Sequence, residues 1–291
     1  MTCSPRALRF SGRSSVMRVT RSAVVIVRKC HEPMGWYVTP VSLEIDLSGK
    51  VVLVTGGTKG VGRGIAGRFA DAGATVAVCA RKEVDDLPAD WAFFSADIRD
   101  GEAAFAMVDA AELLHHRIDV LVNNAGGSPP ADTTDAAPRF TERIVQLNLL
   151  STIYCAQRAN HWMQQGDGGS IVNITSVSGM RPTPKTAAYG AAKAGIVNFT
   201  ITTAVEWAPK VRVNCVTAGM VRTEQAHLFY GDEDGIAAVG ATVPLGRIAN
   251  PSDIGNACVY LASDLASYVS GANLAVHGGG EPPPYLDVSA I

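Results

Sequence analysis

Ser176 stands thirteen residues ahead of Tyr189, and Tyr189 opens the pentapeptide Tyr189-Gly190-Ala191-Ala192-Lys193. Residues four apart share one face of a helix, so this spacing sets an ammonium beside a phenol. A neighbouring positive charge favours the ionised form of a tyrosine that ordinarily titrates near about 10. The pair can therefore run acid-base chemistry on a hydroxyl or a carbonyl. Tyr-x-x-x-Lys alone is a weak signal in a chain with seven tyrosines, and its meaning rests on the elements around it.

Those elements begin with Val51-Val52-Leu53-Val54-Thr55, a short β-branched run, followed at once by Gly56-Gly57-Thr58-Lys59-Gly60-Val61-Gly62. Ile65, Ala66, Phe69 and Ala70 then recur at helical spacing up to Gly73, and Thr75 to Cys79 reads as the next strand. Strand, glycine turn, helix and strand make a βαβ unit. In such a unit the glycines let backbone N–H groups approach a pyrophosphate at the helix N-terminus, where free donors and the helix dipole both favour an anion. Further strand-like runs at Trp91 to Ser95, Ile118 to Val122, Ser170 to Ile174, Val211 to Val216 and Asn273 to Val276 alternate with longer helical stretches. This alternation predicts an α/β fold with one doubly wound, Rossmann-like parallel sheet and helices on both faces.

The spacing Thr-Gly-x-x-x-Gly-x-Gly, Asn123-Asn124-Ala125-Gly126 after a central strand, Asn148 in a long helix, Ser176, and Tyr189 with Lys193 follow one another in an order that resembles the short-chain dehydrogenase/reductase family. The resemblance runs from about Leu47 to Gly280. It implies a catalytic set of Asn148, Ser176, Tyr189 and Lys193, in which Tyr189 exchanges a proton with a substrate oxygen during hydride transfer between nicotinamide and a carbonyl or secondary alcohol. By the same resemblance Ser176 holds the substrate oxygen, and Lys193 binds the nicotinamide ribose and lowers the Tyr189 pKa. Asn148 holds a water linking Lys193 to solvent. Each residue also has a plain structural reading: Ser176 as a turn cap, Tyr189 as a half-buried aromatic, Lys193 as a solvated charge, Asn148 as a partner for backbone at a helix kink.

The resemblance implies dinucleotide contacts from Gly56, Thr58, Lys59, Gly60, Val61, Gly62, Arg81, Asp97, Ile98, Asn124, Ala125, Gly126, Gly219, Val221 and Thr223, together with Tyr189 and Lys193. NAD-dependent enzymes of this shape usually carry an acid at the end of the second strand. Ala80 stands there, followed by Arg81, and Lys59 lies in the glycine turn, so two cations can meet a 2′-phosphate. NADP(H) is therefore the expected cofactor, with NAD(H) the alternative. Asp97 resembles the family's adenine contact, although it or Asp100 can equally cap the next helix.

Composition sets outer limits. The chain has 291 residues, 47% apolar and 18% charged, with a net charge of −2, which argues against a nucleic-acid footprint or a funnel for acidic substrates. Six scattered cysteines (Cys3, Cys30, Cys79, Cys155, Cys215, Cys258) form no Cys-x-x-Cys pair, which fits reduced thiols in the cytoplasm, and the histidines have no zinc-like spacing. Residues 1–45 differ in character: seven Arg or Lys precede His31, no acid precedes Glu32, and the apolar stretch ending at Val27 is too short to span a bilayer. We expect them to be a flexible extension outside the folded body, residues 46–291, or an upstream stretch before a start at Met34. An Arg- and Ser-rich targeting peptide is the other reading, without a convincing cleavage site.

Thr223 to Val243, with the polar break Tyr230-Gly231-Asp232-Glu233-Asp234-Gly235, is the expected mobile segment over the substrate. Two residues depart from the family pattern: Ala218 where proline is common, and His277 where an acid is common. The resemblance also implies a homodimer or homotetramer joined through long helices such as those holding Asn148 and Tyr189, and the small residues around Tyr189 would allow such helices to meet. The substrate is expected to be a small carbonyl or alcohol compound. An NAD-dependent alcohol dehydrogenase and an inert dinucleotide-binding scaffold are the competing readings, and an intact Ser/Tyr/Lys set argues against the second.

Overall fold

The computed structural model describes residues 45–282 and, as backbone, residues 24–28 and 37–41. The chain divides into two units, residues 1–45 and 46–291. In the first, β1 (Val24–Arg28) and β2 (Tyr37–Val41) pair antiparallel, with Val24 opposite Val41. Cys3, Cys30 and the expected start at Met34 lie outside the described residues.

In the second unit, the strands β3 (Val51–Thr55), β4 (Thr75–Ala80), β5 (Ala92–Ser95), β6 (Val120–Asn123), β7 (Gly169–Ser176), β8 (Val211–Ala218) and β9 (Asn273–Val276) form one parallel sheet in the order β5-β4-β3-β6-β7-β8-β9. Every pairing is parallel, so both faces must be covered, and β3 at the centre reads as an apolar run rather than an alternating one. All five residues of β3 are buried.

Alternation along each strand sends its side chains to two cores. Leu53, Ala77, Leu121, Ile171 and Val213 meet Ala104, Met107 and Ala111 of α2 (Gly101–His115) and Cys155, Ala156 and Ala159 of α4 (Ser151–Gln165). The other face packs under α1 (Gly60–Asp71) and α8 (Pro251–Ala262), which lie against each other, with Ile65, Phe69 and Ile254 fully buried. The remaining helices are α3 (Pro138–Val145), α5 (Ala187–Glu206), α6 (His227–Tyr230) and α7 (Glu233–Ala241). Cys79, Cys155, Cys215 and Cys258 are buried free thiols; burial pushes Cys79 up to about 12 and Cys215 up to about 11, which makes both inert at neutral pH.

The strand order positions the site. From β3 the chain runs outward to β4 and β5, then returns to β6 on the opposite side of β3. The loops leaving β3 and β6 therefore diverge and leave a crevice at the carboxyl ends of the strands.

Candidate active site

Gly56 follows β3 with φ +65°, and Gly60 opens α1 with φ +55°, conformations that an L side chain rarely adopts. At Gly62 the constraint is contact: a Cβ would lie 2.1 Å from the Gly56 carbonyl oxygen and 2.5 Å from Asn124 Nδ2. Asn124 holds the turn from β6, its Nδ2 donating to the carbonyls of Thr55 (3.0 Å) and Gly56 (3.3 Å). Its backbone N–H and that of Ala125 both donate to Thr55 Oγ1. The result is a turn whose glycines leave backbone uncovered by side chains at positions 56, 57, 60 and 62, leading into α1, whose N-cap residue, Lys59, makes no side-chain cap bond. This is the access to backbone that a diphosphate requires.

This glycine cradle belongs to a cleft of about 750 Å³. Every residue named above as a dinucleotide contact lines it, and Ser176 does too. Lys59 and Arg81 are exposed on its wall, and Ala80 ends β4 with no acid beside it. Asp100, not Asp97, caps α2, accepting from the Ala103 N–H at 2.8 Å. Asp97 instead pairs with Arg99, whose guanidinium holds the carboxyl below its ordinary range, helped by the charge of Arg81. Arg99 and Arg143, both on the cleft wall, carried no sequence motif and were missed.

On the other side of the cleft, Ser176 ends β7, and its Oγ accepts from the Ser178 N–H at 3.2 Å, so it does cap the turn Val177–Gly179. That bond uses an acceptor site of the hydroxyl, whose other partner is the Tyr189 phenol. Glycines bring α5 onto this turn: a Cβ at Gly190 would meet the Ser178 carbonyl oxygen at 2.6 Å, and one at Gly179 the Ala194 nitrogen at 2.8 Å. Lys193 is buried, 3% exposed, with Nζ donating to the Ile174 carbonyl at 2.8 Å and lying 5.7 Å from the centre of the Tyr189 ring. The Thr175 hydroxyl donates to the Lys193 carbonyl, fastening α5 to the end of β7.

The electrostatics reverse one expectation. Burial pushes the Tyr189 hydroxyl above its ordinary value, with the Ser176 hydroxyl pulling weakly the other way, and burial drives Lys193 down to about 8. Desolvation is the largest cause of both shifts. Tyr189 is thus held protonated at neutral pH.

Asn148 binds backbone at a break in the helix, as its plain structural reading has it. It lies in a π-helical turn, Gln146–Leu150, between α3 and α4, rather than within one continuous α-helix, and it does not line the cleft. Both ends of the amide are engaged: Oδ1 accepts from the Gly127 N–H at 2.7 Å, and Nδ2 donates to the carbonyls of Gly127 and Ile144, each at 2.9 Å. The side chain clamps the loop after β6, and Gly126 beside it has no room for a Cβ, which would stand 2.7 Å from Asn148 Oδ1 and 3.2 Å from Lys193 Nζ.

Of the two departures, Ala218 keeps its strand pairing with Val276, and His277 packs behind the turn, where a Cβ on Gly219 would meet His277 Cα and Cβ at 2.8 Å. Among the described residues no group of three or more His, Cys, Asp or Glu side chains could hold a metal ion, and no helix is long and apolar enough to cross a membrane.

A doubly wound parallel sheet with a glycine turn at its switch point, and Ser, Tyr and Lys beside the same cleft, define a dinucleotide-dependent oxidoreductase. Residues 56–281 match the family model described as enoyl-(acyl carrier protein) reductase. The chain is 32% identical over 249 residues to a probable 2,4-dienoyl-CoA reductase of Bacillus subtilis, spanning 81% of this chain and 98% of that protein. It is 33% identical to 3beta-hydroxysteroid dehydrogenase 1 of Eggerthella lenta, over 80% of this chain and 94% of that one. A solved structure described as an aldohexose dehydrogenase of Thermoplasma acidophilum in ligand-free form matches with a TM-score of 0.77 at 30% identity, covering 85% of this chain and 97% of the other. The chain belongs to the short-chain dehydrogenase/reductase family, and it is an oxidoreductase of CH–OH and C=O groups that uses a nicotinamide dinucleotide.

Proposed function

We propose that the protein is an NADP(H)-dependent carbonyl reductase or secondary-alcohol dehydrogenase in which Tyr189 is the general acid/base. The observation that carries this reading is the convergence of Ser176, Tyr189 and Lys193 on the wall of the cleft that holds the glycine cradle. A bound nicotinamide supplies or accepts the hydride. Ser176 donates its hydroxyl proton to the substrate oxygen and orients it. Tyr189, kept protonated by burial, gives its proton to the oxygen as negative charge develops there, and takes it back in the reverse direction. Lys193 places a positive charge behind Tyr189 and reaches toward the dinucleotide ribose, while Asn148 keeps the loop at Gly127 fixed. The backbone donors of residues 56–62 bind the diphosphate, and Lys59 and Arg81, with no acid at position 80, receive the 2′-phosphate.

Four buried free thiols favour a reducing, cytoplasmic setting. Ala187, Ala191, Ala194, Ile201 and Val205 form an exposed stripe of small and apolar residues along α5, which suits contact with a second copy of the chain in a homodimer or homotetramer.

Titration of the purified protein with NADPH and NADH, followed by a panel of ketones watched at the nicotinamide absorbance, tests the reading. NADPH is expected to bind at least tenfold tighter, and Tyr189→Phe to lose about 10² to 10⁴ in turnover while binding NADPH unchanged. Preference for NADH would remove the argument from Lys59 and Arg81, and retained turnover in Tyr189→Phe would remove the mechanism.

A further inference from the structure

Glu224 is not among the residues expected to bind the dinucleotide, yet it reaches the glycine turn. Its Oε1 accepts from the Gly60 N–H at 3.3 Å, across 164 residues of sequence, and its Oε2 comes within 3.7 Å of the place where a Cβ on Gly60 would stand. Gly60 is the first residue of α1, a helix with no acid in its first turn and no side-chain cap. Glu224 has no ion-pair partner among the described residues, since the neighbouring Arg222 is turned to Glu233 on α7. Thr223, Glu224 and Gln225 all line the cleft. From them the chain enters α6 and α7, anchored by a small core of its own formed by Ala226, Ile236, Val243 and Ile248.

A carboxylate with two oxygens at the N-terminus of a helix offers that helix what a phosphate would offer it. We propose that Glu224 is an internal stand-in for the cofactor diphosphate: in the free protein it takes a donor of the cradle and latches the segment from Thr223 to Ala241 to the glycine turn. Cofactor binding must then displace it. One N–H cannot serve two anions at full strength, and two negative groups within a few ångströms repel, so the diphosphate expels the carboxylate and releases the segment. The latch makes the state of the segment report on whether the cradle is filled, and it lowers cofactor affinity. This inference rests on the dinucleotide reading above.

The test is calorimetric binding of NADPH, NADH, ADP-ribose and adenosine 2′-monophosphate to the wild type, Glu224→Gln and Glu224→Ala. A contact of this kind at an exposed helix terminus corresponds to about a two- to fivefold change in affinity. Ligands that carry the diphosphate are expected to bind both variants tighter by at least that factor. Adenosine 2′-monophosphate, which has no diphosphate, should bind all three proteins alike. Unchanged or weaker binding of every diphosphate ligand in both variants overturns the latch, as does an equal gain for adenosine 2′-monophosphate, which would reduce the effect to net charge. Hydrogen exchange on the ligand-free proteins supplies the second readout: Gly60 and residues 223–241 are expected to exchange faster in Glu224→Ala, and equal rates overturn the latch. Should the wild type bind neither NADPH nor NADH, the dinucleotide reading itself fails, and the exchange comparison still decides whether the contact holds the segment.

Discussion

Lys193→Met should abolish turnover and, at neutral pH, should leave the ligand-free protein no less stable than the wild type. The reason is the environment of the ammonium. It is 3% exposed, with the Ile174 carbonyl as its one hydrogen-bond partner among the described residues, and burial lowers its pKa from an ordinary 10.5 to about 8. Each pKa unit corresponds to about 1.36 kcal/mol, so the drop represents about 3 kcal/mol of folding free energy lost to keeping the charge inside. The sign follows from proton counting. Between pH 8 and 10.5 the unfolded chain binds the proton and the folded one releases it, so stability rises with pH through that window, and below it the penalty is complete. Methionine fills nearly the same volume without the charge. It leaves the Ile174 carbonyl without a donor, which costs about 1–3 kcal/mol, so the net gain at pH 7 is about 1 kcal/mol, or roughly 2–4 °C in Tm for a body of this size. Urea unfolding of both proteins from pH 7 to 10.5 isolates the lysine, because the other titrating groups cancel in the difference. The stability difference should shift by about 3 kcal/mol in favour of the wild type across the window. A difference that does not change with pH would refute the assignment of a buried, strained ammonium.

Three further outcomes follow from particular contacts. Gly62→Ala places a Cβ against the Gly56 carbonyl, which is backbone and cannot step aside, so NADPH affinity by calorimetry should fall at least tenfold; an unchanged Kd would mean that the cradle is not the diphosphate site. Lys185 holds φ at +66°, and replacing it with glycine relieves about 1–2 kcal/mol of left-handed strain against about 0.5–1 kcal/mol of added chain entropy, so urea unfolding should show Lys185→Gly slightly more stable. Arg212 donates to the carbonyls of Leu261, Ala262, Ser263 and Val269, closing the end of α8; Arg212→Met should cost about 2–4 kcal/mol in stability, with activity per folded molecule retained.

What a reader of the sequence could see was whatever repeats over a few residues. The seven strands of the sheet are β-branched or apolar runs, the helices between them carry the 3.6-residue period, and the spacing of four puts Tyr189 and Lys193 on one face of α5. The glycines at 56, 60 and 62 were legible because a turn before a helix has few other uses for them. The same local logic located the cleft, since a βαβ unit with a glycine turn brings its ligand to the carboxyl ends of the strands.

Other properties depend on which atoms approach from elsewhere in the chain, and only the tertiary structure decided them. The direction of the Tyr189 and Lys193 shifts follows from how completely β7 and the loop after β6 cover α5, a quantity absent from a spacing of four residues. Asn148 reads as a helical asparagine until the π-helical turn aims its amide at Gly127, twenty-one residues away in sequence. Glu224 finds Gly60 across 164 residues. Periodicity is set by backbone geometry and so is written locally, whereas desolvation and long-range hydrogen bonds come into being only when the folded chain removes water from around a group.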